Sequence, residues 1–356
     1  MTGAGLRVMC LSNMAPGPRD PDYGIFVHDM CEALRRRGHD VDEVVIRSRR
    51  AGPILSPLKY GRLGARAIAH AARADVIYAH YLFPTGAIAA VAGHAHGVPW
   101  VLTAHGQDVR NLERPSIRRA SRPGIEGAAR LIPVSDYLRS QLAEHELALP
   151  RVDVVNMGVD LNRFGISDRS EAKSALGLDA DAPLILAVGG LTERKNPIRL
   201  LRALPRLRET RDARLAFVGD GPLAEEIDAI ATDLEIADSV IRPGAIPHDE
   251  IPGWMAACDV LSLVSEVEPL GQVALEALAS GRPVVATSVG GTREIVPQSG
   301  AGRHVDPTDV QAIADALADV LDHPPRAEEC RRAAEPFSLE RNADRVAEIL
   351  ATAAAG

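Results

Sequence analysis

Short runs of aliphatic and β-branched residues recur along the chain, separated by Ala- and Leu-rich stretches with helical spacing. The first half opens with LRVMCLSN (6–13), a helix over 24–37 with Ile25, Met30, Ala33 and Leu34 on one face, and VDEVVI (41–46). ADVIYAH (74–80), PWVLTAH (99–105), ARLIPVS (129–135) and VDVVNMGVD (152–160) continue the series as strands. After Phe164 a second series begins: APLILAVGG (182–190), ARLAFVGDG (213–221), CDVLSLVS (258–265) and RPVVATSVG (282–290). Helices are expected between them, over about 197–210, 222–236, 271–280 and 308–322. Strands separated by helices of this length require right-handed crossovers and a parallel sheet. The pattern predicts two doubly wound α/β domains, 1–163 and 164–339, with the polar stretch 161–175 as linker. Ligands of such sheets bind beyond the carboxyl ends of the strands, which favours a small-molecule enzyme.

Composition narrows the class further. Over 356 residues, 46% are apolar and 25% charged, the balance of a folded globular protein with room for two cores. No apolar run approaches the ~18–20 residues that span a bilayer. The N-terminal MTGAGLRVMCLSNMAPG has no long apolar core of its own and reads as a first strand rather than a signal peptide. Cys10, Cys31, Cys258 and Cys330 are scattered singly, without metal-ligand spacing, which suits a reducing cytoplasm. Residues 1–165 carry 21 Arg/Lys against 16 Asp/Glu, whereas 166–356 carry 19 against 32. A net charge of −8 and 3% aromatics argue against a nucleic-acid partner. The basic first half suits an anionic acceptor or peripheral contact with the inner face of a membrane; a solvated arginine-rich surface is the plainer reading.

Three segments carry the chemistry. VGDGPL (218–223) has the wrong spacing for a dinucleotide fingerprint and reads as a tight strand-to-helix turn; no P-loop pattern occurs. Arg194 and Lys195 follow a strand end and precede Asn196-Pro197, so two cations flank a helix start, an arrangement suited to a phosphate-bearing ligand. In EPLGQVALEALASGRPVVA (268–286), Gly271 opens a helix of good formers whose first amides lack intrahelical partners. Those N–H groups and the positive end of the helix dipole suit a diphosphate. Glu268 stands just ahead of them, placed to accept from sugar hydroxyls, and Glu276 lies about a turn and a half into the helix, within reach of a ribose. The plainer reading makes Glu268 a cap and Glu276 an exposed side chain.

Taken together, these residues resemble the retaining GT-B glycosyltransferases of glycosyltransferase family 4, whose E-x7-E signature the 268–286 stretch matches over its full length. Further segments are similar to the family in order along nearly the whole chain: YGIFVHDMCEALRRRGHDV (23–41), LTAHGQD (102–108), NMGVDLNRF (156–164), LTERKN (191–196), VGDGPL and IRPGAIPHDEIP (241–252). FSLERNADRVAEIL (337–350) is similar to the family's last helix, which implies that about 340–356 packs back onto the first domain.

The resemblance implies a fold of two Rossmann-like domains facing each other across a cleft, with the donor on the second and the acceptor on the first. The activity implied is transfer of a hexosyl group from a nucleotide-diphosphate sugar, UDP- or GDP-linked, to a hydroxyl acceptor: a small molecule, glycan or lipid-linked sugar. It implies His105, Lys195 and Glu268 in catalysis, with Gly24, Arg194, Lys195, Gly244, Glu268, Leu270, Gly271, Gln272, Val273 and Glu276 around the donor. Asp108 would orient His105 or face the acceptor, whose specificity would lie in 14–24, 50–64 and 105–122. No permanently bound cofactor and no metal are implied. Two features depart from the family: Gly189-Gly190-Leu191 stands where Gly-Arg-Leu is usual, and Gly24 stands alone where a glycine pair is common. Arg194 is the nearest substitute for the missing arginine. The departure leaves two other readings open, a 2-epimerase-like enzyme and a catalytically silent nucleotide-sugar-binding subunit.

Overall fold

The computed structural model describes residues 5–18, 23–48, 56–298 and 300–356. In chain order the elements are β1 (Arg7–Ser12), α1 (Ile25–Arg36), β2 (Asp40–Val45), α2 (Ser56–Ala71), β3 (Val76–His80), α3 (Thr85–His96), β4 (Trp100–Ala104), α4 (Gln107–Asn111), α5 (Pro115–Glu126), β5 (Arg130–Pro133) and α6 (Asp136–Ala143). There follow α7 (Arg169–Ala175), β6 (Leu184–Val188), α8 (Pro197–Arg208), β7 (Arg214–Val218), α9 (Ala224–Asp233), β8 (Val240–Gly244), α10 (Ile251–Ala257) and β9 (Val260–Leu263). The chain ends through α11 (Gln272–Ala279), β10 (Val284–Thr287), α12 (Thr292–Ile295), β11 (Gly302–Val305), α13 (Val310–Asp322), α14 (Ala327–Ala334) and α15 (Leu339–Ala354).

Two compact units result. One comprises Met1–Met157 together with Leu339–Gly356, the other Gly158–Ser338. The first holds a five-stranded sheet ordered β2-β1-β3-β4-β5, parallel throughout. Strands β3 and β4 are buried along their whole length, as a parallel sheet covered on both faces requires. Helix α3 packs between α2 and α5, and α15 packs on α1. There Glu340 pairs with Arg36 and Arg37, at 2.7 and 2.8 Å, and Asp344 with Arg37 at 2.6 Å.

The second unit holds a six-stranded parallel sheet ordered β11-β10-β9-β6-β7-β8. Its core gathers Leu200, Leu204, Phe217, Val260, Ile313 and Leu317. Lys173 is buried beneath it, 2.8 Å from Asp259 and donating to the carbonyl of Ala182 at 2.7 Å. A buried ammonium is tolerable only when paired and bonded in this way.

Two sequence expectations need correction. The stretch 152–160 is not a strand: Val152 and Val159 form isolated bridges, and the rest is extended chain. Its alternating valines look like a strand but find no ladder. Conversely β8 and β11 were not anticipated. Both are edge strands, and both carry an arginine, with Pro243 in β8.

Candidate functional site

The second unit places most of the anticipated donor residues around the ends of β6, β7 and β9. Two glycine turns meet there: the N–H of Gly189 donates to Val218 at 2.9 Å and that of Leu191 to Asp220 at 3.0 Å. A Cβ on Gly219 would lie 2.0 Å from the Gly189 carbonyl oxygen, so no other residue fits. VGDGPL is therefore a packing turn. Beyond it the chain makes a short 3₁₀ turn over Glu193–Lys195, and Pro197 starts α8.

Lys195 and Glu268 meet at this point, with Nζ 2.6 Å from Oε2. The Ser265 hydroxyl donates to the same carboxylate oxygen at 3.1 Å, and the loop is tied down by Gly291 N–H donating to the Glu268 carbonyl at 2.9 Å. Glu268 is buried, while Lys195 remains about one-fifth exposed, 22%. Gly271 then turns the chain into α11 with φ 98°, wedged near Leu263, Ile295 and Thr292. Among the described residues, the N–H groups of Leu270, Gly271, Gln272 and Val273 meet no acceptor, which leaves a row of donors at a helix start. The Gln272 side chain instead reaches the Gly158 carbonyl at 2.7 Å.

Glu276, although on α11, is buried and lies apart from that pair. Its partner is His248, with Nε2 3.8 Å from Oε1, and His248 in turn lies 3.4 Å from an Arg163 guanidinium nitrogen and edge-on to Phe164. His248 escaped sequence reasoning; its position within IPHDEIP was the available signal. Gly244, at the end of β8, accepts from Gly219 N–H at 2.9 Å, which fixes this loop to the β7 turn. Arg194 is exposed and its side chain has no protein partner among the described residues, whereas its carbonyl accepts from Glu266. Arg199, not singled out by sequence, reaches the Pro307 carbonyl at 2.7 Å.

Gly24, His105 and Asp108 belong to the first unit. Gly24 caps α1 in close contact with Met14. The His105 ring lies among Phe26, Tyr81 and His80, with centroids 5.0, 5.3 and 5.3 Å away. Burial lowers its pKa to about 3, so the imidazole is neutral. Asp108 is buried and accepts four backbone N–H bonds, from His105, Gly106, Val109 and Leu82, at 2.8–3.1 Å. It shapes the turn after β4 and makes no bond to the imidazole; burial raises its pKa, against the pull of those donors. Of the stretches expected to read the acceptor, residues 19–22 and 50–55 lie outside the described residues, 56–64 opens α2, and 105–122 carries α4 and most of α5.

Among the described residues, one group offers ligand atoms for a metal, His28, Glu32 and Glu43, all within 4.8 Å of one another. Arg35 already donates to both carboxylates at 2.6 and 2.9 Å, the arrangement of an ion-paired surface cluster. No described helix is long and apolar enough to cross a membrane.

Comparison with known proteins shows the fold and the family. Anabaena Alr3699/HepE in complex with UDP and glucose superposes with a TM-score of 0.80 at 22% identity, covering 98% of this chain and 100% of that one. A sucrose-phosphate synthase of Thermosynechococcus elongatus gives 0.79 at 21% identity, covering 97% and 98%. The fold is that of the GT-B glycosyltransferases, two Rossmann-like units. Residues 168–336 match the family model described as glycosyl transferases group 1, and residues 24–163 that of glycosyltransferase family 4. D-inositol 3-phosphate glycosyltransferase 1 of Catenulispora acidiphila is 32% identical over 312 residues, 80% of this chain and 74% of that protein. The GDP-mannose-dependent alpha-(1-6)-phosphatidylinositol monomannoside mannosyltransferase of Mycolicibacterium smegmatis is 37% identical over 237 residues, 64% of this chain. That match spans 62% of the mannosyltransferase, a little under two thirds of its length. The chain belongs to glycosyltransferase family 4, and its enzyme class is glycosyltransferase.

Proposed function

We propose that the chain is a retaining, metal-independent transferase that moves a sugar from a nucleotide-diphosphate sugar, UDP- or GDP-linked, to a hydroxyl acceptor. The observation that carries the reading is the pairing of Lys195 with Glu268 beside the unmatched N–H groups at the start of α11. A cation and oriented amides stabilise a departing diphosphate without reorganising, which is the main demand of this reaction. The Gly158–Ser338 unit is the donor-binding domain, and the unit of His105 and Asp108 serves the acceptor side.

In this mechanism Lys195 and the amides of Leu270 to Val273 hold the diphosphate, and Glu268 accepts hydrogen bonds from the donor sugar. Glu276, steadied by His248, accepts from the ribose hydroxyls. The sugar–phosphate oxygen bond breaks as the acceptor oxygen bonds to the same face of the anomeric carbon. The leaving phosphate takes the acceptor's proton, so atoms and charge balance without an enzyme nucleophile. The names of the relatives support an inositol-bearing acceptor. A thermal-shift screen against UDP-, GDP- and ADP-sugars, followed by transfer assays with inositol 3-phosphate and phosphatidylinositol in chelator, tests the reading. Donor binding without transfer to any acceptor would favour a silent binding subunit, and isomerised donor would favour an epimerase.

Peripheral contact with an anionic lipid surface belongs to the same reading. Across α2 and Arg73, α3 and α5, six arginines and Lys59 stand against Glu126 alone. Between α2 and α3 runs an apolar groove of about 280 Å³, lined by Tyr60, Ile68, Ile88 and Val91, with Leu58 and Val91 more than half exposed. An apolar groove between helices of this basic stretch suits an interface of acyl chains and anionic headgroups.

A further inference from the structure

His80, the last residue of β3, is completely buried, and its Nδ1 lies 3.1 Å from Nε2 of His105. The other nitrogen of His80, Nε2, is buried without any partner. These two facts constrain where the protons sit. Two neutral imidazoles can share this contact only if one nitrogen carries the hydrogen and the other accepts it. If His105 donated from Nε2, His80 would carry its own hydrogen on Nε2, a buried N–H with nothing to receive it. Orphaned buried N–H groups are rare and costly. If His80 donates from Nδ1, its unpartnered nitrogen is only a lone pair, and His105 accepts at Nε2.

The second arrangement fixes His105 as well. Its remaining hydrogen must lie on Nδ1, which has no protein partner among the described residues and is not among the buried unpartnered atoms. That N–H is therefore open to solvent, in a ring held in place by Phe26 and Tyr81. Protonation of His105 at Nε2 would turn the His80 proton around and recreate the orphan donor. The other titratable groups nearby are Tyr78, edge-on to His80, Tyr81, and Asp108, which bonds the His105 main chain only.

We propose that His80 is a positioning residue that caps Nε2 of His105, so that His105 offers the substrate an Nδ1–H donor and does not act as a general base. The proposal deepens the proposed transferase reading, because it rests on His105 serving the reaction, but the proton assignment is measurable without turnover. Long-range ¹H–¹⁵N correlations on the full chain with ¹⁵N-histidine should show both His80 and His105 protonated on Nδ1 at neutral pH. A proton on Nε2 of His105, or a charged His105, overturns the proposal whatever the enzyme's substrate proves to be. In transfer assays, His105→Asn keeps a nitrogen donor near the δ position and His105→Gln moves it to the ε position. His105→Asn should retain at least tenfold more turnover, and equal rates or the reverse order overturn the donor role. His80→Asn, which keeps a δ donor, should preserve the wild-type pH profile. His80→Leu should move the acid limb of kcat to higher pH than in the wild type, because protonating His105 no longer orphans a His80 proton, while burial still holds His105 below the usual imidazole range. Identical profiles in all three proteins would reduce His80 to a packing residue.

Discussion

The Lys195 ammonium lies 2.6 Å from the Glu268 carboxylate, so the two residues assigned to opposite ends of the donor's reacting bond restrain each other before any ligand arrives. Each would stay anchored while the other engages substrate. Lys195→Ala and Glu268→Ala should each lower kcat/KM by roughly 10²–10³, the scale of losing one preorganised group at developing charge. Because they act as a unit, the double variant should fall little further than the worse single one. Steady-state kinetics on the three proteins decide it; fully multiplicative losses would mean that the pair is not shared in the transition state.

Gly190, unlike its neighbour Gly189, can take a side chain without backbone strain. A Cβ there would meet nothing nearer than 3.8 Å, and its φ is not left-handed, whereas Gly189 has φ 135°. Gly190→Arg should therefore fold normally and tighten nucleotide-diphosphate binding measured by calorimetry, by roughly tenfold for one added charge-assisted contact. Gly189→Ala should cost about 1 kcal/mol or more in urea unfolding. Unchanged affinity in a folded Gly190→Arg would show that the phosphates do not lie beside β6.

The two buried histidines make the first unit acid-sensitive. Burial lowers His80 far below its usual range and brings His105 to about 3, against about 6.5 in the unfolded chain. Depressed values contribute stability that is complete above about 6.5 and lost as pH falls toward 3. Asp108, raised by burial, acts in the opposite sense and only in the carboxylate range. In a Trp254→Phe variant Trp100 is the remaining tryptophan. Its fluorescence should report a urea midpoint that falls between pH 6.5 and 5, and a flat midpoint would contradict two buried neutral imidazoles.

The basic face of α2, α3 and α5 should bind vesicles containing phosphatidylglycerol and ignore pure phosphatidylcholine. Arg62 and Arg119 are exposed and, among the described residues, form no ion pair. Arg62→Glu with Arg119→Glu should weaken sedimentation with anionic vesicles by at least tenfold, at about 1 kcal/mol per arginine near the surface. Val91→Ser should weaken it without changing its salt dependence. Transfer to a soluble acceptor should be untouched by either change. Equal binding to neutral vesicles would remove the electrostatic part of the reading.

Much of this was legible in the chain because local chemistry and tertiary placement agree. The strand runs ending at Val188, Val218 and Leu263 are short and mainly apolar, of strand rather than helix length. The 268–276 stretch announces a helix start by its glycine and its good formers. What the sequence concealed depends on distance along the chain. His248 gains its meaning from Glu276, and His80 from His105, partners that no local window contains. The edge strands β8 and β11 were hidden by their polar residues, and 152–160 misled because an extended segment with isolated bridges alternates as a strand does. Arg194 stands out by its neighbours, yet its side chain meets no protein group among the described residues, while the less conspicuous Arg199 is engaged.

The first unit is written in two pieces, 1–157 and 339–356, with 158–338 between them. During synthesis residues 158–338 are made before α15 exists, so the α1 surface around Arg36 and Arg37 stays without its α15 partner until the rest has been made. A contiguous unit can be excised as one segment; a unit in two pieces cannot. Expression of 158–338 alone should give a folded nucleotide binder, whereas 1–157 alone exposes the apolar face that Val346 and Leu350 cover. The host unit finishes last, which ties its assembly to prior synthesis of the unit inserted within it.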